Sequence, residues 1–264
     1  MSGSPYSLLE ATGLADPSTD WTDPMVYEGY TERFGETVNL QGIKAVTDYI
    51  MDMGYAPPTV ALSTNPNYAV IREKGDVISS VDLTANIVRV LNDIAEVRFY
   101  RGATLIDTQT SGGGIPAGGN STFTDSNSFS DNRSYRVEVD DDSVQSKPSA
   151  QQTRSFVFVY PYYYGVGAAG LGAGVSALTK QIIQEATSAV RSFSPNGSQK
   201  MYFAYPASYG NLTSILDINS FNTIADWTKT TTNITGLDGN PVSYNIYEFN
   251  NFAVAGSYQY TFIQ

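Results

Sequence analysis

"AEVRFYRGATLIDTQT" (Ala95–Thr110) reads as two strands and the turn that joins them. In its first half Ala95, Val97 and Phe99 fall on one side, and Glu96, Arg98 and Tyr100 on the other. That period of two belongs to a strand with one buried face. Arg101-Gly102-Ala103 supplies the turn, and "ATLIDTQT" returns. The pattern continues in both directions. Upstream stand "TVALST", with Val60 and Leu62 alternating, and "SVDLTANIV", with Val81, Leu83, Ala85 and Ile87. Downstream come "NSTFT", "SYRVEVD" and "RSFVFVY". Turn signals fall between them at Lys74-Gly75-Asp76, Gly112 to Gly119 and Ser130-Asp131-Asn132. Short alternating strands with turns at roughly ten-residue spacing predict an immunoglobulin-like β-sandwich over residues 57–160. The chain has no cysteine, so aliphatic and aromatic packing must hold that sandwich.

The rest of the chain predicts a second antiparallel β domain, residues 161–264, with one helix. The helix is expected over Ser176–Ser192, where Leu178, Ile182, Ala186, Ala189 and Val190 recur at three- and four-residue steps. "SPNGS" closes it. Strands are expected at "QKMYFAYP", "TTNIT", "VSYNIYEF" and "SYQYTFIQ", with a hairpin at the Asp-Gly of "GLDGNP".

Ahead of the sandwich, residues 1–38 carry no sustained period and read as an extended arm, either a free tail or a segment ordered by a partner. Trp21, Tyr27, Tyr30 and Phe34 favour the partner, because disordered linkers are poor in aromatics. Residues 39–56 predict a short helix and linker. Asn39 can cap it, Leu40, Ile43, Val46, Ile50 and Met53 form one apolar stripe, and Gly54 with Pro57-Pro58 ends it. A helix so short needs a surface to lie on. The arm aromatics with Leu40, Ile43 and Ile50 are therefore the expected assembly interface.

Two stretches share the skeleton Tyr-Pro-x-x-Tyr-Gly: Tyr160 to Gly165 and Tyr205 to Gly210. Proline gives no amide to a strand ladder and glycine eases a turn, so each is expected to be a stiff corner at a strand end. Tyr162, Tyr163, Tyr164 and Tyr209 then either pack in that corner or face outward as an aromatic patch for a protein or a sugar.

Composition narrows the chemistry. Charged residues are 16% of 264, tyrosines number 19 and glycines 23, and the net charge is −11. An acidic chain gains nothing from a polyanion, which argues against nucleic acid. The glycine-rich apolar stretch Gly165–Leu178 is too short to span a bilayer, and the amino terminus lacks the basic and apolar regions of a secretory signal. The chain is thus expected to be made in the cytoplasm without export. With no histidine a Ser-His-Asp triad and imidazole-held metals are excluded, and no phosphate-binding glycine fingerprint appears. Asp140-Asp141-Asp142 is expected to be a solvated turn, ahead of a calcium or a catalytic role. No cofactor or metal is expected, and no enzyme.

From about Pro57 onward the chain resembles a family of tailed-bacteriophage virion proteins of the tail, baseplate, collar or fibre region. The features that match in order are the Gly54–Pro58 lead-in to "TVALS", the Glu73–Gly75 turn, "VRFYRGATLIDTQ", "FTDSNSFSDNRSYRVEVDD", "FVFVYPYYYG", "MYFAYPASYGNLTSILD", "NITGLDGNPVSYNIYEFNN" and "YTFIQ". The resemblance implies a structural protein of the virion. Its implied partners are other virion proteins and further copies of itself around a symmetry axis. A carbohydrate-binding adhesin or receptor-binding tip, with a host surface glycan as partner, is the alternative.

Overall fold

The computed structural model describes residues 56–90, 92–110, 119–142 and 148–264. The expected arm and nearly all of the short helix and linker lie outside the described residues, and with them Trp21, Tyr27, Tyr30, Phe34, Leu40, Ile43 and Ile50. The described chain is mainly β.

Nine strands build the first module: β1 (Thr59–Asn65), β2 (Arg72–Glu73), β3 (Val81–Val88), β4 (Ile94–Arg101), β5 (Thr104–Thr110), β6 (Gly119–Asp125), β7 (Arg133–Asp141), β8 (Ala150–Phe156) and β9 (Phe158–Val159). One antiparallel sheet has the order β1-β3-β6 and a second the order β5-β4-β7-β8. Their alternating residues meet in one core, which includes Leu62, Leu83, Ile87, Val97, Phe99, Val137 and Phe156. β4 follows the sequence reading at Val97 and Phe99, both fully buried, but Ile94 takes the place expected of Ala95. A register shift between Ile94 and Glu96 explains this, since one extra residue in a strand turns the side chains before it to the other face. At one end of this core Phe129 packs edge-on against Tyr135, Phe156 and Phe158, with ring centroids 5.5–6.3 Å apart. Such pairs add to the area they bury.

The second module comprises β10 (Tyr162–Gly167), β11 (Thr179–Gln181), β12 (Ser188–Phe193), β13 (Lys200–Pro206), β14 (Ser214–Asp217), β15 (Trp227–Thr235), β16 (Pro241–Phe249) and β17 (Tyr258–Ile263). Five strands form a sheet ordered β11-β10-β13-β16-β15, and three form another ordered β12-β17-β14. β13 is buried on both faces. Met201, Phe203 and Tyr205 point into the core between the two sheets, with Phe193, Trp227 and Phe262. Tyr202 and Ala204 point the other way, with Tyr163, Val175, Tyr244 and Ile246. Leu171, Val175 and Leu178 cover that second face. The glycine-rich stretch is therefore a lid on a sheet. Gly170 and Gly172 adopt φ of +69° and +52°, and a Cβ at Gly167 would stand 2.6 Å from Leu171.

The helix expected over Ser176–Ser192 is absent. Gly172–Ala177 is a 3-10 turn, Thr179–Gln181 pairs with Tyr162–Tyr164, and Ser188–Phe193 pairs with Tyr258–Ile263. Val190, expected inside, is exposed, while Ala189, Arg191 and Phe193 alternate inward. Six cross-strand pairs and a burial face at period two outweigh a weak helical preference. Among the described residues no helix is long and apolar enough to cross a membrane.

Residues Pro58–Asp142 and Lys147–Gln264 form one compact unit, so both modules belong to it.

Candidate assembly surfaces and the tyrosine cluster

The two modules meet where the chain passes from Phe158 to Tyr162. β2 runs parallel to β9, pairing Arg72 with Phe158 and Glu73 with Val159. This places the Glu73–Gly75 turn against the second module. Glu73 is 4% exposed and accepts a hydrogen bond from the Lys180 ammonium on β11. The Glu73 bond, its largest influence, raises the Lys180 pKa over the opposing effect of burial. Across the same seam the Tyr160 hydroxyl donates to Asp238 Oδ2 at 2.8 Å, and the Lys74 ammonium lies 5.3 Å from the Tyr160 ring centre. Burial first, then the Asp238 bond, pushes the Tyr160 phenol up to about 12. Gly75 has φ +100°, and a Cβ there would stand 2.4 Å from the Asp238 nitrogen. Only glycine lets these backbones approach so closely. One ion pair between the buried Glu73 and the half-exposed Lys180, one side-chain hydrogen bond and one backbone contact thus fasten the two modules together.

The tyrosines expected as corners or as an outward patch occupy the interior. Tyr162 is 1% and Tyr163 5% exposed, so these two take the packed alternative and not the outward patch. Tyr164 and Tyr209 are half-buried. The structure brings Tyr162, Tyr164 and Tyr209 to one core and turns Tyr163 to the opposite face of the sheet. Tyr162 lies over Tyr205 and Tyr209, with centroids 5.8 and 5.9 Å away. The two matched motifs are therefore neighbours in space, but they do different work. Pro206 ends β13 and Gly210 turns at φ +92°, as expected. Pro161, in contrast, precedes a strand, and Tyr164-Gly165 lie inside it. Pro161 still contributes a carbonyl, which accepts from the Tyr244 hydroxyl at 3.0 Å. The Tyr205 hydroxyl donates to the Gly210 carbonyl at 3.0 Å. Burial pushes the Tyr162 and Tyr202 phenols up to about 12 and also raises Tyr205 and Tyr244.

Arg191 is a charged residue inside this aromatic core. Its guanidinium lies 5.1 Å from the Tyr164 ring centre and 5.9 Å from that of Phe203. Burial lowers its pKa. Ring faces, which carry partial negative charge, stabilise the cation there.

The acidic run also departs from expectation. Only Asp142 is exposed. Asp140 is buried and paired with Arg98 at 3.0 Å, within a group in which Arg98 also meets Glu96 and Glu138 at 3.3 Å. Asp141 is fully buried and accepts from the Ser149 hydroxyl at 3.0 Å. β7 simply continues through Asp140 and Asp141, carrying them into the sheet. Among the described residues no three metal-ligating side chains gather around one point.

The sequence reading missed a set of exposed apolar residues in loops of the second module. Ile218 and Phe221 follow β14, and Phe252 and Val254 follow β16; they are 73%, 68%, 57% and 72% exposed. The Asn250 amide donates to the Asp226 carbonyl at 2.8 Å and the Ala253 amide to the Gln199 carbonyl at 3.0 Å, which anchors the loop that carries Phe252 and Val254. The signal available was four apolar side chains set in Asn-, Ser- and Gly-rich turns, outside any period.

No family model matches this chain. No curated protein matches it either.

Proposed function

We propose that the protein is a structural component of a tailed-bacteriophage virion, in the tail, baseplate, collar or fibre region. It acts by protein–protein assembly, not by turnover. The observation that carries the proposal is the seam between the modules. Glu73 with Lys180, Tyr160 with Asp238, and Gly75 against Leu237 and Asp238 make one stiff body from two β modules. A part that transmits force needs such a body, and parting the modules would leave the buried Glu73 carboxylate without its partner. The exposed Ile218, Phe221, Phe252 and Val254 give that body apolar loops that neighbouring virion proteins can cover. The net charge of −11 argues against a nucleic-acid partner.

The immunoglobulin-like reading of the first module belongs to the same proposal. Three strands in the order β1-β3-β6 facing four in the order β5-β4-β7-β8 support it. Tyr135 supports it too: it sits near the start of β7, the last but one of the seven strands in the two facing sheets, and its hydroxyl reaches back to the Asp125 side chain, Oδ2, at 2.9 Å. Immunoglobulin-like domains place a tyrosine near this point. The glycan-binding alternative loses two of its four proposed residues, since Tyr162 and Tyr163 are buried while Tyr164 and Tyr209 are half-buried.

Quantitative mass spectrometry of purified particles tests the reading. A fixed number of copies per particle, constant between preparations, is the expected result. Its absence from purified particles overturns it.

A further inference from the structure

Every open sheet presents edge strands, and proteins normally blunt them, because an exposed row of backbone donors and acceptors invites another strand. In the first module both open sides are clasped by side chains. The Leu62 amide donates to the Gln152 side chain and the Arg154 Nε donates to the Leu62 carbonyl, closing β1 against β8. Gln109 donates to the Thr122 carbonyl at 3.0 Å and accepts from Ser121, closing β5 against β6. In the second module β11 is three residues long. β14 is covered by its own following loop, with the Ile215 carbonyl accepting from the Thr223 amide and Asn222 accepting from the Ile215 amide. β12 is a short edge that lies beside β10.

β15 is different. It is nine residues long, pairs with β16 in unbroken register, and among the described residues no strand pairs with its other edge. Its side chains turn back toward their own sheet. Thr228 donates to Asn250, Lys229 to Asn211 and Thr231 to Asn245. The Gly172–Ala177 turn touches β15 from the face, where Val175 and Ile234 share a cluster. Thr228, Thr230, Thr231 and Asn233 are exposed. In a chain of net charge −11, this strand holds no acid and one base.

We propose that β15 pairs with β15 of a second copy of this chain, antiparallel across a two-fold axis at Thr231, to give one continuous ten-stranded sheet. Full overlap of the nine residues sets Thr231 opposite Thr231, Thr230 opposite Thr232, and Lys229 opposite Asn233 of the second copy. Threonine pairs suit such positions, and the lone charge never meets its like. A second lysine at position 233 would face Lys229 of the second copy and lack that self-complementarity. A two-fold pairing is also closed, because each copy spends its free edge and no fibre grows. The inference deepens the assembly reading and is independent of which particle the dimer enters.

The chain has no cysteine, so a single introduced one reports alone. In the full chain, Thr231→Cys is expected to cross-link copies within minutes of adding a copper–phenanthroline oxidant, because two strands paired at this residue hold the Cα atoms about 4.5–5.5 Å apart. Thr228→Cys, opposite Ile234, is expected to stay largely uncross-linked. A second measurement uses sedimentation of the full chain. Asn233→Lys sets four like charges in two facing pairs and is expected to weaken the dimer about fivefold, whereas Asn233→Glu faces Lys229 and strengthens it by a similar factor. Within one copy Asn233 faces Ser243, so neither change meets a charge on its own sheet. A chain that stays monomeric at every concentration overturns the proposal, as does equal cross-linking at both positions. So does a β15 edge whose amides are shielded from hydrogen exchange in the monomer, which would show another segment of the same chain occupying it. Failure of particle incorporation with the dimer intact would count against the virion reading alone.

Discussion

Raising the pH tests whether the tyrosines are building material. Tyr135, Tyr162 and Tyr202 are 0–1% exposed, and burial, their largest influence, pushes each phenol from 10.0 up to about 12. Below pH 10 these phenols keep their protons in the folded and the unfolded chain alike, so they add no pH dependence. Above it the unfolded chain ionises first, and stability falls as pH rises toward 12. Two pH units correspond to about 2.7 kcal/mol for each ring, or about 8 kcal/mol for the three together, once pH passes 12. A domain's whole stability is about 5–15 kcal/mol. The protein is therefore expected to lose its fold cooperatively between about pH 11 and 12. With no histidine or cysteine in the chain, those groups contribute nothing to the transition. The assay follows tyrosinate absorbance and near-ultraviolet circular dichroism in one titration. The buried tyrosines should ionise in the same step in which the dichroism collapses. If all 19 ionise near pH 10 while the dichroism persists, the rings are open to water and the reasoning is wrong.

Other expectations concern the seam and the arm. Gly75→Ala forces a Cβ to 2.4 Å from the Asp238 nitrogen at φ +100° and should cost about 1–3 kcal/mol in urea unfolding. Lys180→Met leaves the Glu73 carboxylate buried without its partner. Because the Lys180 side chain is 46% exposed, the loss should be about 1–2 kcal/mol instead of the larger cost of a fully buried pair, measured the same way. Deleting residues 1–38 should abolish incorporation into particles while the circular dichroism of the β modules is unchanged. Retained incorporation would remove the arm from the interface.

Much of the first module was legible because its strands have one wet face. Val81, Leu83, Ala85 and Ile87 alternate with exposed residues, and the structure buries all four. The second module hid more. β13 is buried on both sides, so its residues carry no alternation of polarity and only their run of aromatics marks them. In Ser176–Ser192 the apolar residues fit a helical period by coincidence, and what decides is a partner about seventy residues away in β17. The tyrosine motifs were legible as structural residues but not as two different settings, because proline suits both the end of β13 and the approach to β10. Nor could sequence reveal that Asp140 and Asp141 extend a strand, since acids in a row usually mark water. That β15 has no second strand partner among the described residues is a property of sheet order, which no local pattern encodes.

The central claim is that this chain is a fixed part of a larger particle. Electron microscopy of purified particles labelled with an antibody raised against Tyr162–Gln264 tests it most directly. The account predicts label at one constant structural position on every particle. Unlabelled particles, with the chain free in the lysate as a solitary monomer that shortens a host polysaccharide, would contradict it.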